Sequence, residues 1–156
     1  LSVSLNGATE PLIVIVLHAK AGSDAAARAR RDTAAAALKA YMDAAWPTQK
    51  VAVIGDFNDD VDTSITAGQP SPYRGFVDDS AHYRFPTGSL SDAGTASTVR
   101  YSDMIDHQLD TNELFADYVA GSAEVFRVDR YISSYGTTTS DHYPVIVRYR
   151  VAVSGS

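Results

Sequence analysis

The stretch from Leu12 to Ile54 restricts the fold more than any other part of the chain. "LIVIVL" at 12–17 and "VAVI" at 51–54 are short continuous apolar runs, the signature of buried strands. Between them lies an alanine-rich segment from about Asp24 to Trp46, whose later apolar residues Leu38, Tyr41, Met42, Ala45 and Trp46 share one helical face. Ser23 or Asp24 stands where an N-cap is needed, and Pro47 follows the last residue of the pattern. Strand, long helix and strand in succession imply parallel strands joined by a crossover. Ligands in such sheets gather beyond the carboxyl ends of the strands, and His18 and Asp56 stand at those ends.

A chain of 156 residues that is 45% hydrophobic and 21% charged reads as one globular domain over residues 1–156. The net charge of −6 argues against a broad basic surface for nucleic acid, but it leaves room for local phosphate contacts through arginine or a bound cation. With no cysteine, disulfides and thiolate metal sites are excluded. Either a cytoplasmic or a secreted bacterial protein fits that composition, and the secreted one is favoured. No apolar run approaches the roughly 18–20 residues of a membrane span. No signal peptide is visible, and the start at Leu1 reads as a mature or truncated product.

After the second strand, "GDFNDDVD" sets Asp56, Asn58, Asp59, Asp60 and Asp62 almost side by side. Asp56, Asn58 and Asp60 match the opening of a helix-loop-helix calcium loop. Val61 then replaces the required glycine and Ala67 the bidentate glutamate, so that reading fails. A solvated turn accounts for Asp59, Asp60 and Asp62. It accounts poorly for Gly55-Asp56-Phe57-Asn58, because phenylalanine is not a turn residue and Asp56 abuts the strand.

Residues 60–100 read as long polar loops with one short helix near Tyr73 to Val77. The loops at 66–100, polar and with Tyr73, Phe76, Tyr83 and Phe85 dispersed through them, suit a soluble substrate slightly better than a lipid. Further strands are expected at 101–109, 123–128 and 143–153, the last long and alternating. Asp106 lies among apolar neighbours in the first of these and needs a partner if buried. Side chains alternate across a strand, so His107 points to the other face and His142 is the better candidate.

Taken in order, "HAKAGSD", "GDFN", "MIDH" and "SDHYPV" resemble the endonuclease/exonuclease/phosphatase superfamily of divalent-metal phosphodiesterases, which includes pancreatic-type deoxyribonuclease and bacterial sphingomyelinase. The resemblance runs from about residue 11 to 153. It implies an α+β fold, part or all of a four-layered α/β/β/α sandwich with mixed sheets. Members of that superfamily carry an Asn and a metal-binding Glu ahead of the matched region, where this sequence has only "LSVSLNGATEP". The resemblance therefore implies a domain lacking its N-terminal portion, with one apolar sheet face uncovered and the other half cleaved, lost or supplied as a separate N-terminal fragment that would be a partner.

The site that the resemblance implies can be written residue by residue. Asp56 would orient or deprotonate the attacking water, and Asn58 would donate its amide to a phosphate oxygen, with Phe57 anchoring the loop. His142 would act at the phosphoryl group, with Asp106 fixing its tautomer. His18 would contact a phosphate oxygen or protonate the leaving group. Asp141 would ligate the cation, Mg²⁺ or else Mn²⁺ or Ca²⁺. The implied substrate is a phosphodiester in DNA or RNA. A sphingomyelinase-like phospholipid phosphodiesterase and a catalytically incomplete half-domain that only binds are the alternatives.

Overall fold

The structure is a computed structural model that describes residues 2–5 and 8–150, with side chains from residue 11 onward. In chain order it comprises β1 (Ser2–Leu5), β2 (Ala8–Pro11), β3 (Ile13–His18), α1 (Ala25–Ala45), β4 (Val51–Asp56), α2 (Arg74–Val77), β5 (Tyr83–Arg84), α3 (Gly88–Asp92), β6 (Asp106–Thr111), α4 (Asn112–Phe115), β7 (Glu124–Val125), α5 (Tyr135–Thr138) and β8 (Val145–Ile146). The fold is mixed α+β. Its centre is a four-stranded mixed sheet in the order β3-β4-β6-β5, with β3 parallel to β4 and the other pairs antiparallel.

Alanine dominates α1, so propensity favours the helix and little side-chain entropy opposes it. Asp24 caps it, its Oδ1 accepting from the backbone N–H of Ala26 and Ala27 at 2.9 Å each. Of the face that the apolar spacing predicts, Met42 is buried and Leu38 and Trp46 pack half-buried against the core. Ala27, Arg31, Ala35 and Met42 face inward, while Tyr41 and Ala45 are exposed. Arg31 joins the inward side because its guanidinium, once buried, needs a carboxylate and finds it in Asp59.

One face of the sheet packs on α1. Ile13, Ile15 and Leu17 of β3 and Val51 and Val53 of β4 meet Met42, Phe57 and Leu109 there. Tyr73, Phe76 and Tyr83 belong to this core, with edge contacts between Phe57 and Tyr73 and between Phe76 and Tyr83 at 5.0 Å. The polar loops thus fold back and insert these rings into the core.

The opposite face carries Val14, Val16, Ala52 and Ile54. Tyr143, Val145 and Tyr149 cover it in part, and Val16 remains 75% exposed. A groove of about 290 Å³ between Leu12, Val14, Ile54 and Tyr149 lies on this side. Strand boundaries also shift. The strand expected at 101–109 begins at Asp106, and the one expected at 123–128 is reduced to β7. Of the strand expected at 143–153, only Val145–Ile146 forms, with a bridge from Tyr149 to Tyr118. Residues 151–153 lie outside the described residues.

Candidate active site

The register of the sheet builds the site. His18 pairs with Asp56 at the end of β3 and β4, and Asp56 pairs with Asp106 at the start of β6, so three candidate side chains stand in one row across three strands. Gly55 makes the β3–β4 approach possible. Its φ is +135°, and a Cβ there would lie 2.1 Å from the carbonyl oxygen of Leu17.

The turn after β4 explains the Asp-Phe-Asn order. The Asp56 carboxylate accepts from the Asn58 backbone N–H through Oδ1 at 2.8 Å, which bends the chain as an Asx turn. Asn58 adopts a left-handed backbone (φ 51°), which asparagine tolerates better than most residues. Between them Phe57 is 1% exposed and meets Tyr73 and His107 in the core. The Asn58 amide donates to Asp56 Oδ2 at 2.8 Å and to the Ala19 carbonyl at 3.1 Å. Both amide hydrogens are thus committed, and Asn58 holds Asp56 and the loop after His18 together.

His18 is mostly exposed, with Nε2 3.3 Å from Asp56 Oδ2. His142 reaches the row from the far end of the chain. Its Nδ1 is 2.8 Å from Asp106 Oδ2 and 3.0 Å from Oδ1, and its backbone bridges to Thr98. Asp106 therefore has the partner that its burial requires, and His107 on the opposite face is buried among Phe57, Phe85 and Thr87. Burial pushes the Asp106 pKa up, against the hydrogen bonds from Ser97 and His142 that stabilise its anion. Burial pulls His142 down, but the Asp106 hydrogen bond and the charges of Asp106, Asp56 and Asp141 outweigh it, so its pKa is raised. Among the described residues Nε2 of His142 has no hydrogen-bond partner.

Asp141 is exposed, and among the described residues its carboxylate has no ion-pair partner. The rest of the acidic run departs from a solvated turn. Asp59 is fully buried and bonds Arg31 through Nε at 2.9 Å and Nη2 at 2.7 Å. Asp60 is 7% exposed and accepts from the backbone of Val61 and Met104 and from the Ser91 hydroxyl. Only Asp62 of the three is exposed. A carboxylate that binds backbone donors leaves the same sequence trace as one that faces water, so the run itself could not separate them.

Sequence reasoning missed Ser97, whose hydroxyl donates to Asp106 Oδ2 at 2.8 Å, and Arg31, which also binds the carbonyls of Lys20 and Gly22 beside His18. Ser97 sits in the Ser/Thr-rich "GTAST" segment with nothing local to mark it. Arg31 carries a faint signal, as the one charged residue on the inward seam of an alanine-rich helix. Five of the six predicted residues thus lie at one sheet edge, held by hydrogen bonds or ion pairs, and Asp141 adjoins them through His142. No family model matches the chain, and no curated protein matches it.

Proposed function

We propose that this chain is a divalent-metal-dependent phosphodiester hydrolase acting on DNA or RNA, of the endonuclease/exonuclease/phosphatase type that its motif order resembles. The observation that carries the reading is the His142–Asp106 pair standing beside Asp56 and His18 at one sheet edge. Hydrolysis of a phosphodiester needs an in-line water, a group to accept its proton and donors for the phosphoryl oxygens. Asp56 is the carboxylate for the water. Asn58 keeps it oriented through one amide N–H and would offer the other to a phosphoryl oxygen in place of the Ala19 carbonyl. His142, with Nδ1 engaged by Asp106, offers Nε2 to the phosphoryl group. His18 serves the leaving side.

The chemistry at Asp141 fits a hard cation such as Mg²⁺, or Mn²⁺ or Ca²⁺ in its place. Its oxygen donor is free, and Mg²⁺ is commonly held by one or two carboxylates, with water and substrate phosphate filling the other positions. Among the described residues no group of three or more His, Asp or Glu is placed to hold an ion, so Asp141 would supply only part of the shell. When bound, the cation would offset the charge growing on the phosphoryl oxygens. The half-covered face around Val16 suits the packing of a further sheet, as a four-layered sandwich requires, whether from the same chain or from a separate fragment.

The test is cleavage of plasmid DNA and of RNA with Mg²⁺, with and without EDTA. Wild-type activity should vanish with EDTA and return with Mg²⁺. His142→Ala and Asp56→Ala should each lower turnover at least a hundredfold, about 2.7 kcal/mol of barrier. Full cleavage in EDTA, or an unimpaired His142→Ala, would sink the reading. Release of phosphocholine from sphingomyelin vesicles without DNA cleavage would select the phospholipid alternative.

A further inference from the structure

We propose that Ser97 is a positioning residue of this site, whose hydroxyl sets the Asp106 carboxylate in the orientation that holds the His142 imidazole. The inference rests on the hydrolase reading only for its effect on turnover. Ser97 is fully buried, so its hydroxyl bonds within the protein. The Oγ lies 3.0 Å from the Ile105 backbone nitrogen and 3.1 Å from that of Asp106, and both N–H groups donate to it. Those two bonds occupy its lone pairs and leave its proton one direction, toward Asp106 Oδ2 at 2.8 Å. A hydroxyl held on three sides is a fixed donor, and it stops the carboxylate rotating away from Nδ1 of His142, 2.8 Å from the same oxygen.

The backbone of the same segment fixes the other half of the pair. The Ser97 carbonyl accepts from the Tyr143 N–H at 2.8 Å, the Val99 N–H donates to the Asp141 carbonyl at 2.8 Å, and Thr98 bridges to His142. Asp106 and His142 are far apart in sequence, and residues 97–99 touch both. Ser97 therefore sets their separation through its carbonyl and their relative orientation through its hydroxyl.

The experiment compares Ser97→Ala, Ser97→Thr and Asp106→Ala with the wild type. Proton and nitrogen NMR read the tautomer and the hydrogen-bonded Nδ1 proton of His142, and steady-state kinetics on DNA read turnover. Ser97→Ala should remain folded, lose the low-field Nδ1 proton signal and lower kcat about tenfold at unchanged KM. Ser97→Thr, which keeps the hydroxyl, should restore the signal and most of the rate. In an Asp106→Ala background Ser97→Ala should lower kcat no further, because its effect passes through Asp106. An unchanged Nδ1 signal in Ser97→Ala, or equal additional loss in the Asp106→Ala background, would overturn the proposal. If Ser97→Ala does not fold, Ser97→Cys, with a weak donor in the same place, takes its part. A wild type with the Nδ1 signal but no hydrolysis would reject the hydrolase reading, and the signal in the variants would still decide the role of Ser97.

Discussion

Removing Asp59 tests whether the acidic run is built into the core. The Arg31 guanidinium and the Asp59 carboxylate are both fully buried, and the pair is closed by bonds from Ser64 Oγ at 3.0 Å and the Ile65 N–H at 2.8 Å. Asp59→Ala would leave a guanidinium out of water with only the Lys20 and Gly22 carbonyls for company. Breaking a buried pair from one side costs about 3–5 kcal/mol, against about 5–15 kcal/mol of total stability for a domain. For a chain of this size that lowers Tm by about 10 °C. Urea unfolding followed by the fluorescence of Trp46, the only tryptophan, measures it directly. Arg31→Met with Asp59→Leu together should cost less than Asp59→Ala alone, since no charge is then stranded. A loss under about 1 kcal/mol in Asp59→Ala, the range of a solvent-exposed pair, would refute the argument.

Asp60→Ala should cost about 2–3 kcal/mol of stability by stranding the N–H groups of Val61 and Met104, seen as a lowered urea midpoint; a midpoint equal to wild type would restore the solvated turn. Asp106→Asn should reduce turnover less than His142→Ala, because an amide still orients the imidazole but no longer stabilises its charge; kcat for the two variants decides the order. Asp110 is buried with Tyr149 and Gln108 as its hydrogen-bond partners, and burial pushes its carboxyl from 3.8 to about 7. The folded state then binds more protons than the unfolded one between those values, so stability should fall as pH rises from about 4 to 7, by up to about 4 kcal/mol. Asp110→Asn should flatten that slope in urea midpoints taken across the window. Gly55→Ala should unfold the sheet edge, and a variant with wild-type Tm would show that β3 can move aside.

The β3-α1-β4 unit was legible because local signals coincide there: apolar runs of strand length, a cap and a breaker around an alanine helix. His18, Asp56, Asn58, Asp106 and His142 were legible as candidates through the order of four short motifs, and Phe57 through being out of place in a turn. What escaped was decided by contacts distant in sequence. Arg31 pairs with Asp59, 28 positions away, and Asp60 accepts from the Met104 N–H, 44 positions away, so neither could be read from neighbours. The strand expected after Tyr143 has the right alternation, but its length depends on how far a partner follows it, and β7 offers only two residues.

The row of site residues begins at His18 and closes only when His142 docks on Asp106. During synthesis at roughly 5–20 residues per second, His142 leaves the ribosome about 6–25 seconds after His18. Within that interval β3, α1 and β4 can fold as a scaffold, and Asp106, once made, has no imidazole to hold until His142 follows. A polypeptide interrupted between residues 111 and 142 would carry the four strands of the sheet without the His142–Asp106 pair, so the order of the chain places the closing of the row after the sheet that supports it.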